Sequence, residues 1–462
     1  MPTDRLEVFN TMGRRRELFA PRIAGKVRMY TCGPTVYKYA HIGNFRTNLM
    51  SDFWIRAFEY LGYEVTQVRN ITDVGHLVAD ADTGADKVLE SARAEGKSPD
   101  EIAAFYTDAF HADAALLNIR PADHSPRATE FVPRMVELVA QLVEKGHAYE
   151  VEGNVYYDVQ SKPDYPKLSG NTLEALQSGY RMEVDPLKRH PADFSLWKAA
   201  GPRRLQVWES PWGLGYPGWH IECSAMSLHY FPDGFDVHTG GVDLVFPHHE
   251  DEIAQSEPVA GENFVRYWIH GEFLEFRGRK MAKSTGNILR VPELKDMGYD
   301  PLAFRYLYLL AKYRAKLSFS DEAMDSAQAG LQSLRGRASE LPPATEPASE
   351  QAAHLEGEFR SALEDDLNLP RIPGLLQEVL RADIPGGEKR ALLERWDQVL
   401  QLDLTRASEE IDAPAEVEAL VAKREQARAE RQWDAADRLR AEIADKGWSV
   451  EDTAGGPKLR PR

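Results

Sequence analysis

The sequence contains very little cysteine and no long apolar run. Cys32 and Cys223 are the only cysteines among 462 residues, which excludes a framework of disulfide bonds and is typical of a reducing cytoplasm. The first twenty residues lack the apolar stretch of a signal peptide, and the most apolar segment, 304–313, is too short to cross a bilayer. We therefore expect a cytoplasmic protein that has no membrane partner.

Positive charge is also in short supply. The formal net charge of the chain is −17 at pH 7. Affinity for a phosphate backbone needs a local surplus of Lys and Arg, so this balance excludes indiscriminate binding of nucleic acids. An RNA partner would therefore have to bind to basic patches on an acidic body.

The order of the first predicted elements indicates an α/β fold. Residues 26–32 (KVRMYTC) predict a strand that ends in a Gly33-Pro34 turn. A helix pattern follows, and residues 63–71 (YEVTQVRNI) predict a second strand. Strand, helix and strand at this spacing are typical of a parallel sheet. This unit contains neither GxGxxG nor GxxxxGK[ST], so a nucleotide would have to be held in another way.

Beyond this unit the sequence predicts further parts, in keeping with a length of about three domains. A helix (131–144) and a hairpin turning at 152–154 lead into an irregular stretch, and sheet-like patterning resumes at 235–241 and 264–270. We therefore expect an insertion of about a hundred residues within one α/β domain. From residue 300 onward helices predominate, with a flexible connection at 341–351.

The first candidate site is the segment 32–44 (CGPTVYKYAHIGN), which joins the first strand to its helix. A helix N-terminus presents unpaired N–H groups and partial positive charge, so it can hold a phosphate. Gly43 leaves room for a ligand, and His41 and Asn44 can donate hydrogen bonds to phosphate oxygens. HIGN by itself favours the alternative of an ordinary junction with an incidental histidine, because four-residue matches are common.

The second candidate site is the basic segment 277–287 (RGRKMAKSTGN), in which Lys280 and Lys283 lie three residues apart. One interpretation is a solvated surface loop, as most basic runs are. The other is a mobile cationic clamp that neutralises the charge developing at a phosphorus centre.

The third candidate site is a metal centre. In the segment 240–252 (GGVDLVFPHHEDE), Pro247 suits the first position of a helix. His248 and Glu252 are four residues apart, so both face the same side of that helix. The two cysteines complete a set of two thiolates, one imidazole and one carboxylate, which is plausible for zinc. The predicted ligands are Cys32, Cys223, His248 and Glu252.

Competing interpretations of this third site are a helix-capping carboxylate and an ordinary buried histidine. His249 is rotated about 100° from His248 on a helix and is the weaker ligand candidate, and His220 is a further rival. The zinc prediction depends on the observation that both cysteines of the chain fall in these motifs.

Taken together, the motifs resemble the cysteinyl-tRNA synthetase family of class I aminoacyl-tRNA synthetases. CGPTVY…HIGN, NITD, GWHIECSAM, GGVDLVFPHHEDE and KMAKS occur in this order, and the similarity extends to WDAADRLRAEI…EDT near the end. The resemblance implies a Rossmann-like parallel-sheet catalytic domain followed by a mostly α-helical C-terminal half. The implied parts are the catalytic domain (1–120 and 222–260), a connecting insertion (121–221), a stem-contact region with the KMAKS loop (261–320), a helical bundle (321–405) and a small anticodon-binding domain (406–462).

The resemblance also implies substrates and residue roles. A monomer would use Mg²⁺ with ATP, L-cysteine, tRNA(Cys) and one zinc ion per chain, held by the four ligands named above. The catalytic residues, which also bind ATP, would be His41, Asn44, Lys280 and Lys283. ATP would in addition contact Gly43 and Ser284. The cysteine pocket would be lined by Thr72, Trp219 and Asp243.

The sequence departs from the family pattern at two positions. Asn44 stands where the last histidine of the usual HIGH signature would be, and it keeps a hydrogen-bonding side chain. Ala282 stands at the first serine of KMSKS, which removes a hydroxyl but neither lysine. The acidic stretch within residues 74–86 has no assigned role.

Two alternative functions remain open at this point. One is a ligase that joins activated cysteine to a small aminosugar, as relatives in the mycothiol pathway do; the helical tail after residue 415 counts against it. The other is a non-catalytic RNA-binding paralogue, which the intact lysines and zinc ligands disfavour. Residues 421–462 carry ten basic and eight acidic side chains, a net charge of +2 that suits RNA contact, although Trp433 and Trp448 taken singly favour packing in a core.

Replacing one lysine of the KMAKS loop tests the clamp interpretation. We expect Lys283→Ala to lower the rate of adenylate formation by about 10²–10³ and to leave cysteine binding almost unchanged, because the lysine acts on charge that appears only in the transition state. Single-turnover kinetics measure both quantities. A variant within about twofold of the wild-type rate would identify the segment as a surface loop.

Overall fold

The computed structural model describes residues 2–75, 87–173, 185–202, 204–276, 279–280, 288–405, 414–453 and 456–461. The chain divides into two compact units, Met1–Thr405 and Arg406–Arg462. The finer domain limits given above stay predictions. In the described part of the chain, no helix combines the length and the apolar character needed to span a membrane.

The strands of the first unit are β1 (Glu7–Asn10), β2 (Arg15–Leu18), β3 (Lys26–Thr31), β4 (Glu64–Arg69), β5 (Ala148–Val151), β6 (Asn154–Tyr157), β7 (Phe194–Ala199), β8 (Gly215–Pro217), β9 (Phe235–Gly241), β10 (Val265–Gly271), β11 (Leu274–Phe276), β12 (Arg279–Lys280) and β13 (Leu317–Phe319). Its helices are α1 (Ile42–Tyr60), α2 (Lys87–Glu95), α3 (Pro99–Leu116), α4 (Ala128–Glu144), α5 (His220–Tyr230), α6 (Glu250–Ala260), α7 (Val291–Asp296), α8 (Pro301–Tyr308), α9 (Asp321–Ser339), α10 (Glu350–Glu364), α11 (Ile372–Arg381) and α12 (Gly386–Leu400).

A four-stranded sheet in the order β10-β9-β3-β4 forms the centre of the first unit, and each neighbouring pair is parallel. Its strands are buried on both faces along most of their length, as in sheets covered by helices. The pairing of β3 with β4 across α1 confirms the predicted strand–helix–strand unit. Thr31 at the end of β3 pairs with Thr239 of β9, so the chain that follows each strand leaves from the same edge of the sheet.

The predicted hairpin in the insertion belongs to an antiparallel sheet in the order β5-β6-β7-β8. Glu152 and Gly153 connect β5 to β6 with φ values of 52° and 77°. Positive φ at both central residues matches the twist of an antiparallel pair, and glycine adopts it without steric cost. This sheet and α4 share an apolar core that includes Val139, Tyr157 and Trp197.

The second unit has a small core of its own. It contains α13 (Ala415–Ala429), α14 (Trp433–Asp445) and a terminal hairpin of β14 (Trp448–Thr453) and β15 (Gly456–Pro461), which the helical reading of the tail did not predict. Trp448 is buried in that core, as expected, but Trp433 is 59% exposed. Packing of Trp433 was therefore the wrong expectation, because this residue opens α14 well before the helix reaches the core at Ile443.

A buried ion pair joins the central sheet region to the helices that follow it. The Asp52 carboxylate in α1 accepts hydrogen bonds from Arg305 Nη2 of α8 at 2.6 Å and from Arg56 Nε at 2.8 Å. Arg305 also donates to the carbonyl oxygens of Leu117 at 2.9 Å and Leu400 at 2.6 Å. Burial alone would raise the pKa of Asp52, but the two arginines outweigh burial and lower it. This stabilisation is therefore present above the ordinary aspartate pKa and is lost as the pH falls towards the lowered value.

Removing one partner of this pair should be costly. We expect Arg305→Met to lower the free energy of unfolding by about 3–5 kcal/mol, because Asp52 loses its fully buried cation and two carbonyls lose a donor. Lys26→Met is the matched control, since it breaks an exposed pair with Glu64 whose atoms are 3.1 Å apart, and such pairs contribute at most about 1 kcal/mol. Urea unfolding of the full chain measures both; equal losses in the two variants would contradict the assignment.

Candidate active site and metal centre

A cavity of about 390 Å³ lies where the chain leaves β3 and α1 begins. It occupies the carboxyl edge of the parallel strands, where open α/β sheets bind their ligands. Many of the residues predicted from sequence line it, namely Cys32, His41, Gly43, Asn44, Thr72, Trp219, Cys223, Asp243 and His248. Glu252 lies behind this lining, within reach of Cys32 and His248.

The HIGN segment forms the N-terminus of α1. His41 is the N-cap residue: its Nδ1 accepts a hydrogen bond from the Asn44 backbone N at 3.3 Å, and its own backbone N donates to Asn44 Oδ1 at 3.1 Å. This capping box fixes both side chains at the positive end of the helix dipole. The arrangement gives the cavity a wall that favours a phosphate group.

The basic segment with the KMAKS signature is described only in part. The backbone of Lys280 ends β12, next to β11. Lys283 and Ser284 lie outside the described residues, as does most of the acidic stretch 74–86. The roles assigned to these residues therefore stay predictions.

The four predicted metal ligands meet at one point. One ligand atom from each of Cys32, Cys223, His248 and Glu252 lies within 4.8 Å of all the others. His248 Nε2 is 3.1 Å from Glu252 Oε1, and Cys32 Sγ is 3.9 Å from the same oxygen. The predicted helix start explains this geometry: Phe246 has non-helical angles, and the chain is helical from Pro247 onward into α6.

A second group of side chains shares Cys32 and Glu252 with the first. Cys32, His238, His249 and Glu252 also place one ligand atom each within 4.8 Å of one another. His249 Nε2 is 3.3 Å from Cys32 Sγ, and His238 Nε2 is 2.8 Å from Glu252 Oε2. The rotation of His249 away from His248 therefore does not take it away from Cys32. The sequence did not single out His238, and its signal would have been a histidine inside a buried parallel strand.

His220 lies behind the first group. Its Nδ1 is 2.8 Å from Nδ1 of His248, and it is absent from both groups of ligand atoms among the described residues. His220 therefore contacts a predicted ligand instead of replacing it. His249 is held in a similar way, with its Nδ1 2.7 Å from His270 Nε2. Burial lowers the pKa of His270 to about 3, and burial with the charge of His238 lowers the pKa of His249 well below its ordinary value.

Electrostatics in the first group suit a cation. Burial would raise the pKa of Glu252, but His238 and His248 outweigh it and lower that pKa to about 2. A hydrogen bond with Cys32 lowers the pKa of the Cys223 thiol to about 7 against the effect of burial. Burial and the neighbouring Cys223 raise the pKa of Cys32 well above its ordinary value. A divalent metal would stabilise both thiolates together, so the donor set fits a metal ion.

The residues of the predicted cysteine pocket differ in their surroundings. Thr72 Oγ1 donates to Glu222 Oε2 at 2.9 Å and accepts from Asn70 Nδ2 at 3.0 Å. The Trp219 ring packs on His248, with centroids 4.4 Å apart. Asp243 is exposed at the rim. Glu222, which the sequence did not single out, is fully buried, and burial raises its pKa well above the ordinary value.

A glycine is required where the first strand turns into the cavity. The Gly33 backbone N donates to Asn70 Oδ1 at 2.8 Å, which ties this turn to the end of β4. A Cβ atom at Gly33 would lie 1.6 Å from the carbonyl oxygen of Asn70, far inside van der Waals contact. The close approach brings the segment after Cys32 next to Thr72.

Comparison with known families and structures gives a consistent result. The family described as "tRNA synthetases class I (C) catalytic domain" matches residues 18–329, and the "Cysteinyl-tRNA ligase anticodon binding domain" matches residues 410–460. Cysteine–tRNA ligase of Treponema denticola is 40% identical, with 97% of this chain and 98% of the relative aligned. The enzyme of the same name from Thermus thermophilus is 41% identical, with 98% and 99% aligned.

Solved structures agree at the level of the fold. Methionyl-tRNA synthetase of Mycobacterium tuberculosis, solved in complex with methionyl-adenylate, has a TM-score of 0.54 at 18% identity over 82% of this chain and 90% of that one. The predicted fold class, family resemblance and enzyme class are thereby confirmed. The chain belongs to the cysteinyl-tRNA ligase family of class I aminoacyl-tRNA synthetases.

Proposed function

We propose that this enzyme activates L-cysteine with Mg²⁺-ATP and transfers the cysteinyl group to the 3′-terminal ribose of tRNA(Cys). One observation carries the proposal: in a cluster of two thiols, an imidazole and a carboxylate, the thiols and the imidazole line the same cavity as the capped N-terminus of α1. The thiol of cysteine and the α-phosphate of ATP would thus bind to separate walls of one site. The family membership supports the same reaction.

In the first step the cysteine carboxylate oxygen attacks the α-phosphorus of ATP, the bond to pyrophosphate breaks, and cysteinyl-adenylate forms. His41 and Asn44 at the positive end of α1 would hold phosphate oxygens, and Lys280 and Lys283 would neutralise the charge on the leaving group. Reactions of this type depend mainly on positioning and electrostatic stabilisation. In the second step a ribose hydroxyl attacks the activated carbonyl, its proton is lost, and AMP leaves.

The proposed metal is one zinc ion held by Cys32, Cys223, His248 and Glu252, whose thiolate, imidazole and carboxylate groups are all ligands that zinc takes. When bound, zinc would supply a borderline-soft Lewis acid that accepts a thiolate far more readily than a serine hydroxyl. Thr72, Trp219 and Asp243 line the cavity nearby and would orient the rest of the amino acid. The reaction is proposed for a monomer in the cytoplasm.

The transfer of cysteine to a small aminosugar is not favoured. The anticodon-binding family matches residues 410–460, a part of the chain for which a small acceptor has no use. A non-catalytic paralogue is not favoured either, because the catalytic family matches residues 18–329 and the predicted metal ligands converge on the cavity.

The amino acid and the metal can be tested together. We expect ATP–pyrophosphate exchange with cysteine and a rate with serine lower by more than about 10²-fold, which is the most that an apolar pocket gives between such isosteres. Purified protein should carry one zinc per chain. Exchange with serine at a comparable rate would contradict the proposed selection, and well under one equivalent of zinc would contradict the metal site.

Two variants distinguish the two candidate ligand groups in that experiment. Cys223→Ala removes a member of the first group only, and His249→Gln a member of the second group only. We expect loss of zinc in the first variant and one retained equivalent in the second. The reverse pattern would move the metal to the second group.

The second unit can be removed to test its role. We expect a chain ending at Thr405 to keep cysteine-dependent pyrophosphate exchange, because the cavity and the metal ligands all lie in the first unit, and to lose most tRNA aminoacylation. Trp433→Ala in the full chain tests a single exposed side chain of this unit, because its ring can be removed without opening a core. Equal loss of both activities in the folded truncation would contradict separate roles for the two units. Full retention of tRNA aminoacylation would contradict them as well.

A further inference from the structure

Three consecutive carboxylates begin α6, and all three are buried. Glu252 belongs to the proposed metal site. Glu250 accepts hydrogen bonds from the backbone N atoms of Lys167, Leu168 and Ser169 at 2.8, 3.0 and 2.8 Å. The proposed reaction assigns no role to the carboxylate between them, Asp251.

Asp251 connects two different parts of the molecule. Its Oδ1 accepts a hydrogen bond from the hydroxyl of Tyr165 in the insertion at 2.7 Å, and its Oδ2 lies 3.4 Å from His220 Nε2. The other ring nitrogen of His220 is 2.8 Å from Nδ1 of His248. A continuous chain of polar contacts thus runs from the insertion through Asp251 and His220 to a proposed metal ligand.

The positions of the hydrogens along this chain follow from the chemistry of the groups. An ionised carboxylate only accepts hydrogen bonds, so Asp251 favours the tautomer of His220 that carries its hydrogen on Nε2. In that tautomer Nδ1 of His220 is an acceptor, and His248 then donates to it from its own Nδ1. The lone pair of His248 is thereby left on Nε2, the nitrogen that faces Glu252 at 3.1 Å.

We propose that Asp251 is a positioning residue for the metal site: acting through His220, it fixes both the tautomer and the orientation of His248 so that Nε2 is presented to the metal. The inference rests on the proposed metal site and deepens it. Carboxylate and backbone partners that fix the second nitrogen of a ligand histidine commonly change metal affinity by about 10–100-fold. Here the effect passes through one additional imidazole.

A purely structural role for Asp251 makes a different prediction. Glu257 in the same helix anchors the same part of the insertion, with its Oε2 2.9 Å from Lys162 Nζ and 2.6 Å from Lys167 Nζ. It has no described contact with either histidine. If Asp251 only anchored the insertion, its loss and the loss of the Glu257 charge would have similar effects on the metal.

Asp251→Asn is the sharpest test because it conserves the shape of the side chain and replaces an oxygen that accepts from His220 Nε2 with a nitrogen that donates to it. The amide can still accept from Tyr165, and its nitrogen would donate to His220 Nε2. That exchange puts the hydrogen of His220 on Nδ1 and the hydrogen of His248 on Nε2, facing the metal. His220→Phe breaks the same chain at the ring and serves where the first variant does not fold.

The experiment uses the full chain with Zn²⁺ in competition with a chromophoric chelator, and Co²⁺ absorption spectra of the loaded proteins. We expect Asp251→Asn and His220→Phe to weaken zinc affinity about 10–100-fold and to alter the Co²⁺ ligand-field bands. Glu257→Gln, the matched control, should stay within about threefold of wild type with an unchanged spectrum, whatever its effect on thermal stability.

The outcomes separate the inference from the function on which it rests. Wild-type protein without a tightly bound zinc would overturn the metal site itself, and the positioning role with it. Wild-type protein with one zinc, together with Asp251→Asn or His220→Phe variants that match its affinity and spectrum, would overturn the positioning role alone. A loss in Glu257→Gln equal to that in Asp251→Asn would make Asp251 an anchor of the insertion only.

Discussion

The ion pair between Asp52 and Arg305 is the interaction on which the placement of the site depends most. Asp52 lies in α1, the helix whose first turn carries His41 and Asn44. Arg305 ties that helix to the carbonyls of Leu117 and Leu400, which end two other helical segments. The helix that directs its positive end at the cavity is thus held near its middle by a fully buried ion pair. A small rotation of α1 would break several of these contacts together, because guanidinium geometry allows few alternatives.

The metal cluster shows a second constraint, which is the need to balance charge in a dry environment. Two thiols and a carboxylate lie within a few ångström of one another among buried imidazoles. Without a cation the cluster keeps both thiols from ionising together, as the opposite pKa shifts of Cys32 and Cys223 indicate. Ionisation of the full set and binding of a divalent ion are therefore coupled, and the neighbouring histidines supply the orientation.

Sequence reasoning reached the parts of the site that depend on local patterns. The strand–helix–strand unit follows from hydrophobic periodicity, and the helix start at Pro247 places His248 and Glu252 on one side. Local patterns do not give the roles of His238 and Glu222, because those roles arise from contacts with Glu252 and Thr72, which other elements supply. The prediction that ranked His249 below His248 used only the rotation along one helix. It could not take account of Cys32, which follows β3 and lies 3.3 Å from His249 Nε2.

The tail shows the same limit at the level of the fold. Helical periodicity indicated its last helix, whereas the terminal hairpin of β14 and β15 was missed because its two short strands alternate weakly. The exposure of Trp433 could not be read from residue type, since tryptophan is buried more often than not. Only the position of the small core, set by residues from two helices and a hairpin, decides which tryptophan it covers.

The grip of Glu250 on the insertion has a consequence for how this protein tolerates change. Glu250 accepts hydrogen bonds from the peptide N–H groups of residues 167–169, and these bonds do not involve the side chains of the three residues. Every amino acid except proline supplies the same N–H group. The hold of Glu250 on this segment therefore survives an exchange of side chains, and the limits on those side chains come from other contacts: Leu168 is buried beside Ile253 and Trp268, and Lys167 pairs with Glu257.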